Sequence, residues 1–82
     1  MESYSLELVE WMDTISVDGW IDLQEAAECR PVKVQSVGFV LEVTSEYLKL
    51  AGSLVIDEQQ DISLTGAVWT IPIGMVINRY EL

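Results

Sequence analysis

Val32-Lys33-Val34-Gln35-Ser36-Val37-Gly38-Phe39-Val40-Leu41-Glu42-Val43 is the stretch on which the fold turns. Apolar residues recur every second position, the period of a β-strand. The parity changes midway: Val32 and Val34 share one face, whereas Val37, Phe39, Leu41 and Val43 share the other. One extra residue flips every side chain to the opposite face, so a bulge or sharp bend at Gln35-Ser36 would keep both sets inward. Gly38 would assist close packing or curvature there. Strongly bent strands of this kind belong to small barrels.

On the N-terminal side, Pro31 has no amide hydrogen and disfavours helical geometry at Arg30, which stops any preceding helix near Cys29. Asp22 and Glu25 have capping-box spacing, and Leu23, Ala26 and Ala27 lie on one helical face. This predicts a short helix over residues 22–29. Ser5 to Met12 alternates imperfectly and reads as the first strand. Ser16, Asp18 and Gly19 are turn formers, so Asp13 to Trp20 reads as a chain-reversing loop.

On the C-terminal side, Thr44-Ser45-Glu46 leads into a strand from Tyr47 to Ile56, a hairpin with the previous one. Asp57 to Gly66 opens with a polar run and reads as a mobile loop. Ala67 to Ile71 is a further strand. Ile71-Pro72-Ile73-Gly74 fits a single 3₁₀ turn, and Met75 to Tyr80 closes the chain as the last strand. The expected architecture is therefore mainly β: one domain over residues 1–82, a five-stranded SH3-like or Sm-like barrel with one short α-helix after the first strand. An OB fold competes, but it usually has a longer helix where this chain has the polar run.

Composition bounds the function. An 82-residue chain has room for one core, and such a chain buries only about 60–65% of its unfolded surface. Half of its residues are hydrophobic, enough to fold. The single Cys29 and the absence of histidine exclude an intrachain disulfide and a Cys/His zinc site. No apolar run reaches the length of a membrane helix and the start is not a basic signal region, which points to the cytoplasm.

The chain carries 14 acids against four bases, a formal net charge of −10. The first 28 residues hold eight of those acids and no base. Nucleic-acid binding draws its affinity from clustered Lys and Arg, so this balance argues against it. It fits a solvated surface, or an acidic face that docks on a basic partner.

Few groups could carry chemistry. Asp13, Asp18 and Asp22 have no nucleophile or matched base beside them in the pattern, and turn formation and capping explain Asp18 and Asp22. Asp57, Glu58 and Asp61 lack the alternating oxygens and central glycine of a calcium loop. Cys29 has no activating histidine and reads as a small buried residue. No catalytic residue, metal or cofactor is assigned. Gly66 to Ile77 contains no charge and is apolar on both parities, more than one buried strand face needs. Trp69, Ile71, Met75 and Ile77 are the candidate contacts with further copies of the chain. Trp20 follows a glycine in the acidic segment and joins Asp13 and Asp18 as a candidate partner face. Arg30, Lys33 and Arg79 are the available phosphate contacts should a nucleotide-like ligand bind.

Trp11-Met12-Asp13, Asp18-Gly19-Trp20, the capped helix, Ser36-Val37-Gly38-Phe39 and Ile71-Pro72-Ile73-Gly74 together resemble a group of small uncharacterised bacteriophage proteins laid out like Sm-like barrels. The resemblance implies a viral accessory protein, in the cytoplasm of the host cell, and a ring-forming oligomer. The basic or asparagine-bearing RNA loops of true Sm proteins are not recognisable. The leading expectation is a non-enzymatic, homo-oligomeric binding module that engages a basic host protein. A small-ligand sequestering oligomer and an Sm-like RNA binder are the alternatives.

Overall fold

A computed structural model describes residues 4–82 of the chain. The strands are β1 (Leu6–Asp13), β2 (Val32–Val43), β3 (Tyr47–Ile56), β4 (Ile62–Pro72) and β5 (Val76–Glu81). One short helix, α1 (Leu23–Glu28), lies between β1 and β2, and a 3₁₀ turn (Ile73–Met75) links β4 to β5. All strand pairings are antiparallel and form a single sheet in the order β4-β3-β2-β1-β5. The sheet is open: β4 and β5 are its two edges and do not pair with each other. A mainly β fold of five strands and one helix is thus present, without the hydrogen-bonded closure of a barrel.

Curling of the sheet makes the core. Trp11 of β1 and Trp69 of β4, three strands apart in the sheet order, bring their ring centroids to 5.7 Å with a tilt of 58°. Val9, Trp11, Leu48, Leu50 and Ile71 form the buried cluster, with Val34, Val40 and Val76 packed on it. Fully burying one such aliphatic side chain contributes about 1.5–3 kcal/mol. Directly opposed residues of an antiparallel pair share a face. The registers Trp11↔Val34, Val40↔Leu50 and Leu48↔Ile71 therefore collect these residues on one inner face.

The parity change in β2 has a different cause from a bulge at Gln35-Ser36. β1 pairs with β2 in unbroken register from Leu6↔Phe39 to Asp13↔Val32. The register shift falls further on, between Val40 and Glu42 against β3. Val37 and Phe39 consequently lie on the outer face. Gly38 faces inward, where a Cβ would stand 2.6 Å from the Ala51 carbonyl oxygen and 2.9 Å from Leu50 Cγ. Lack of a side chain at this position lets Leu50 cross β2 closely, as Gly38 was expected to allow.

The polar loop is also shorter than the sequence reading. Asp57 Oδ1 accepts from the amides of Gln59 (3.0 Å) and Asp61 (2.9 Å), an Asx-type turn that reverses the chain within the residues 57–61. Ile62-Ser63-Leu64-Thr65 then alternates as strand rather than loop. β3 leaves its pairing with β2 at Ala51 and continues with β4 alone to Ile56. The distal β3–β4 segment is thus a two-stranded ribbon, and the molecule measures 57 × 25 × 21 Å. No helix among the described residues is long and apolar enough to cross a membrane.

Candidate functional site

Between β1 and β2 the chain makes an excursion, residues 14–31, that the sheet does not cover. Its helix starts as the sequence reading predicts: Asp22 is extended and its Oδ1 accepts from the Glu25 amide at 2.8 Å. It ends before Pro31, with Cys29 extended. Six residues make less than two turns, too few for a helix to be stable on its own, and α1 buries none of them. The expected inward face of Leu23, Ala26 and Ala27 therefore packs on nothing in the protomer, and Leu23 is 90% exposed. Cys29 is exposed rather than buried, its thiol donating to the Glu25 carbonyl at 3.4 Å. Both differences share a cause: the excursion leaves from the ends of the inner strands β1 and β2, beyond the pair Asp13↔Val32, and none of its residues is buried.

Trp20 stands at the centre of this excursion and is fully exposed, at 103% of the reference area. Gly19 before it has φ +96°, a conformation that side-chain-bearing residues rarely adopt, and this turn carries the indole away from the sheet. Ile15, Val17 and Ile21 are exposed beside it. Asp18, Asp22, Glu25 and Glu28 are distributed through the same segment, and Asp13 ends β1 at its root. Arg30, the one base there, turns its guanidinium back onto the helix end, donating to the carbonyls of Ala27 (2.7 Å) and Cys29 (3.1 Å). Of the sequence-predicted partner face, Asp18 and Trp20 fall on this apolar and acidic arm, and Asp13 stands at the end of β1 where the arm begins. Asp13 is tied locally, accepting from the Thr14 amide at 2.8 Å.

The other candidate contacts separate. Ile71 is 1% exposed and sits in the core, because its register with Leu48 places it on the inner face; it is unavailable to another copy in this conformation. Trp69 turns one side to Trp11 and leaves 47% of its area exposed. Met75 in the 3₁₀ turn and Ile77 in β5 are also partly exposed.

The three candidate phosphate contacts do not converge. Lys33 lies 3.0 Å from Glu10, Arg79 pairs with Glu7, and Arg30 caps α1. The Arg79 pair is bidentate, with Nε–Oε1 at 2.8 Å and Nη2–Oε2 at 2.9 Å, on the inner-face side of β1 and β5. Its hydrogen bonds raise the Arg79 pKa further above the physiological range.

The sequence reading passed over Glu10, a buried carboxylate in the middle of β1. Cross-strand register surrounds it with donors: Gln35 and Asn78 stand opposite, and Lys33 and Tyr80 lie two residues along the neighbouring strands. Gln35 donates at 2.9 Å, Asn78 at 3.3 Å and Tyr80 at 3.2 Å, beside the Lys33 ammonium. Bonding from Gln35 and Lys33, with smaller help from Asn78 and Tyr80, outweighs desolvation and holds the Glu10 pKa down at about 2. The same hydrogen bond, together with the carboxylate charge, pushes the Tyr80 phenol upward. The four partners of Glu10 come from β2 and β5, so the cluster stitches β2, β1 and β5 together. A glutamate flanked by Val9 and Trp11 inside a strand was the available signal.

No protein-family model, no curated protein and no solved structure matches the chain.

Proposed function

We propose that this chain is a non-catalytic accessory binding protein of phage type, a homo-oligomeric small barrel of SH3-like or Sm-like layout that engages a basic host protein through its acidic face. The observation that carries the reading is Trp20: a fully exposed indole, on an arm holding four acids, beside a helix that buries nothing. A rigid ring with an apolar body is the residue type that anchors interfaces, and the surrounding carboxylates would steer a cationic partner toward it. The curled five-stranded sheet supplies the scaffold, and the Trp11–Trp69 contact across it, with the three-residue link from β4 to β5, supports the barrel-like layout. Internal pairing of Lys33, Arg79 and Arg30 favours protein docking over phosphate or RNA binding, which need free cations.

The test is capture from a bacterial lysate on the immobilised chain, with Trp20→Ser and Asp18→Lys variants alongside. A basic protein should be retained by the wild type, be released by salt, and be lost with either substitution. Equal retention by the variants, or a partner whose binding ignores salt, contradicts the proposal.

A further inference from the structure

Resting on the oligomeric part of that reading, we infer that the outer edge of β4, over Ile62 to Gly66, pairs with the same edge of a second copy about a two-fold axis. The protomer has surface to spare. A folded chain of its mass exposes on the order of 4,900 Å², whereas this one exposes 6046 Å². The surplus, roughly 1,100 Å², is of the size that one partner hides in an ordinary protein interface, about 800 Å². Its radius of gyration is 16.5 Å, against about 12 Å for a compact chain of this length.

The ribbon and the exposed arm over residues 14–31 both contribute to that surplus. A lone two-stranded hairpin is marginal in water, yet this one shows Val55, Ile56 and Leu64 to solvent, Leu64 at 66%. Natural edge strands are usually blunted by charge, proline or a bulge. Of these devices β4 has only a bulge, at Ser63 between the pairs Val55↔Leu64 and Ile56↔Ile62; it has no charged residue along its eleven positions, and its one proline stands at the far end.

Charge selects the occupant. Near a two-fold axis a side chain faces its own copy, so any charge there opposes itself. β1 carries Glu7, Glu10 and Asp13, β2 Lys33 and Glu42, β3 Lys49, and β5 Arg79 and Glu81; β4 alone carries none. In a molecule of net charge −10, that is the strand a second copy can approach. Antiparallel pairing over Ile62 to Gly66 sets the two acidic Asp57–Asp61 tips at opposite ends of the seam, about 14 Å or more apart.

A second observation agrees. Registers align Val68, Ala51, Phe39 and Leu6 as one apolar row across four strands of the outer face. A two-fold axis perpendicular to the sheet places both copies' rows on the same side of a continuous ten-stranded sheet.

Sedimentation equilibrium at micromolar concentration, on the whole chain, tests this with Leu64→Glu and, as a control of equal added charge, Leu23→Glu. The wild type and the control should have twice the mass of 9.2 kDa, and Leu64→Glu should have the single mass. Hydrogen exchange on the wild type gives a readout that needs no variant: amide protection in Ile62–Gly66 should rise with protein concentration. A wild-type oligomer that survives Leu64→Glu, an odd-numbered assembly, or β4 protection that ignores concentration overturns the seam while leaving oligomerisation standing. A monomeric wild type overturns both.

Discussion

Replacing Gly38 by alanine probes the closest approach in the sheet. The added Cβ would meet the Ala51 carbonyl oxygen at 2.6 Å, its carbon at 3.1 Å and Leu50 Cγ at 2.9 Å. Leu50 could turn a rotamer, but Ala51 is backbone of β3, opposed to Phe39 in the adjacent register position. Relief therefore requires β2 and β3 to separate by about 0.8 Å beside Leu50 and Ala51, both fully buried. Overpacking of this kind costs about 1–3 kcal/mol. Alanine offsets about 0.5–1 kcal/mol of that, since glycine loses more chain entropy on folding. The net expectation is about 1–2 kcal/mol of destabilisation, a melting temperature lower by roughly 5–15 °C. Thermal unfolding followed by circular dichroism, at one fixed protein concentration, measures it. An unchanged or raised melting temperature would mean that β2 and β3 are not in this contact, and the inner-face packing described above would be wrong.

Glu10 gives the pH dependence. Its pKa is about 2 in the folded chain against 4.5 for a free glutamate, so its contribution to stability is complete above pH 4.5 and is lost as pH falls toward 2. Denaturant midpoints should fall across that window, and Glu10→Gln should flatten the slope; an unaltered slope would count against the four-donor cluster. Ala67 has φ 52°, which strains any residue with a side chain. Ala67→Gly should accordingly raise the unfolding free energy by up to about 1 kcal/mol, and a clear loss in denaturant melts would argue that the conformation is not strained. Trp20→Ser should leave the melting temperature within the error of the wild type, because the indole touches nothing that holds the sheet; a drop of several degrees would show that the arm is packed.

Local chemistry made some elements readable. The Asp22–Glu25 cap, the stop at Pro31 and the 3₁₀ turn around Pro72 each depend on a few adjacent residues, and each is where the sequence places it. Faces and edges depend on pairing, which the linear pattern does not contain. Val37 and Phe39 look like core by alternation, yet the unbroken β1 register turns them outward. The polar run Asp57 to Asp61 made the whole of Asp57 to Gly66 look like loop, whereas the Asp57 turn starts β4 at once. Trp20 was legible as an exposed contact because glycine and acids surround it. Glu10 was not, since its meaning lies in Gln35, Lys33, Asn78 and Tyr80, up to 70 residues away along the chain.

Fluorine NMR of the chain labelled with 5-fluorotryptophan puts the exposed arm directly to the test, through the shift each signal undergoes between H₂O and D₂O. Trp20 should show the full solvent shift, Trp69 a partial one and buried Trp11 almost none, in the order of their exposures. A Trp20 signal as shielded from solvent as Trp11 would mean that the acidic arm is folded onto the sheet, and the binding face proposed for it would not exist.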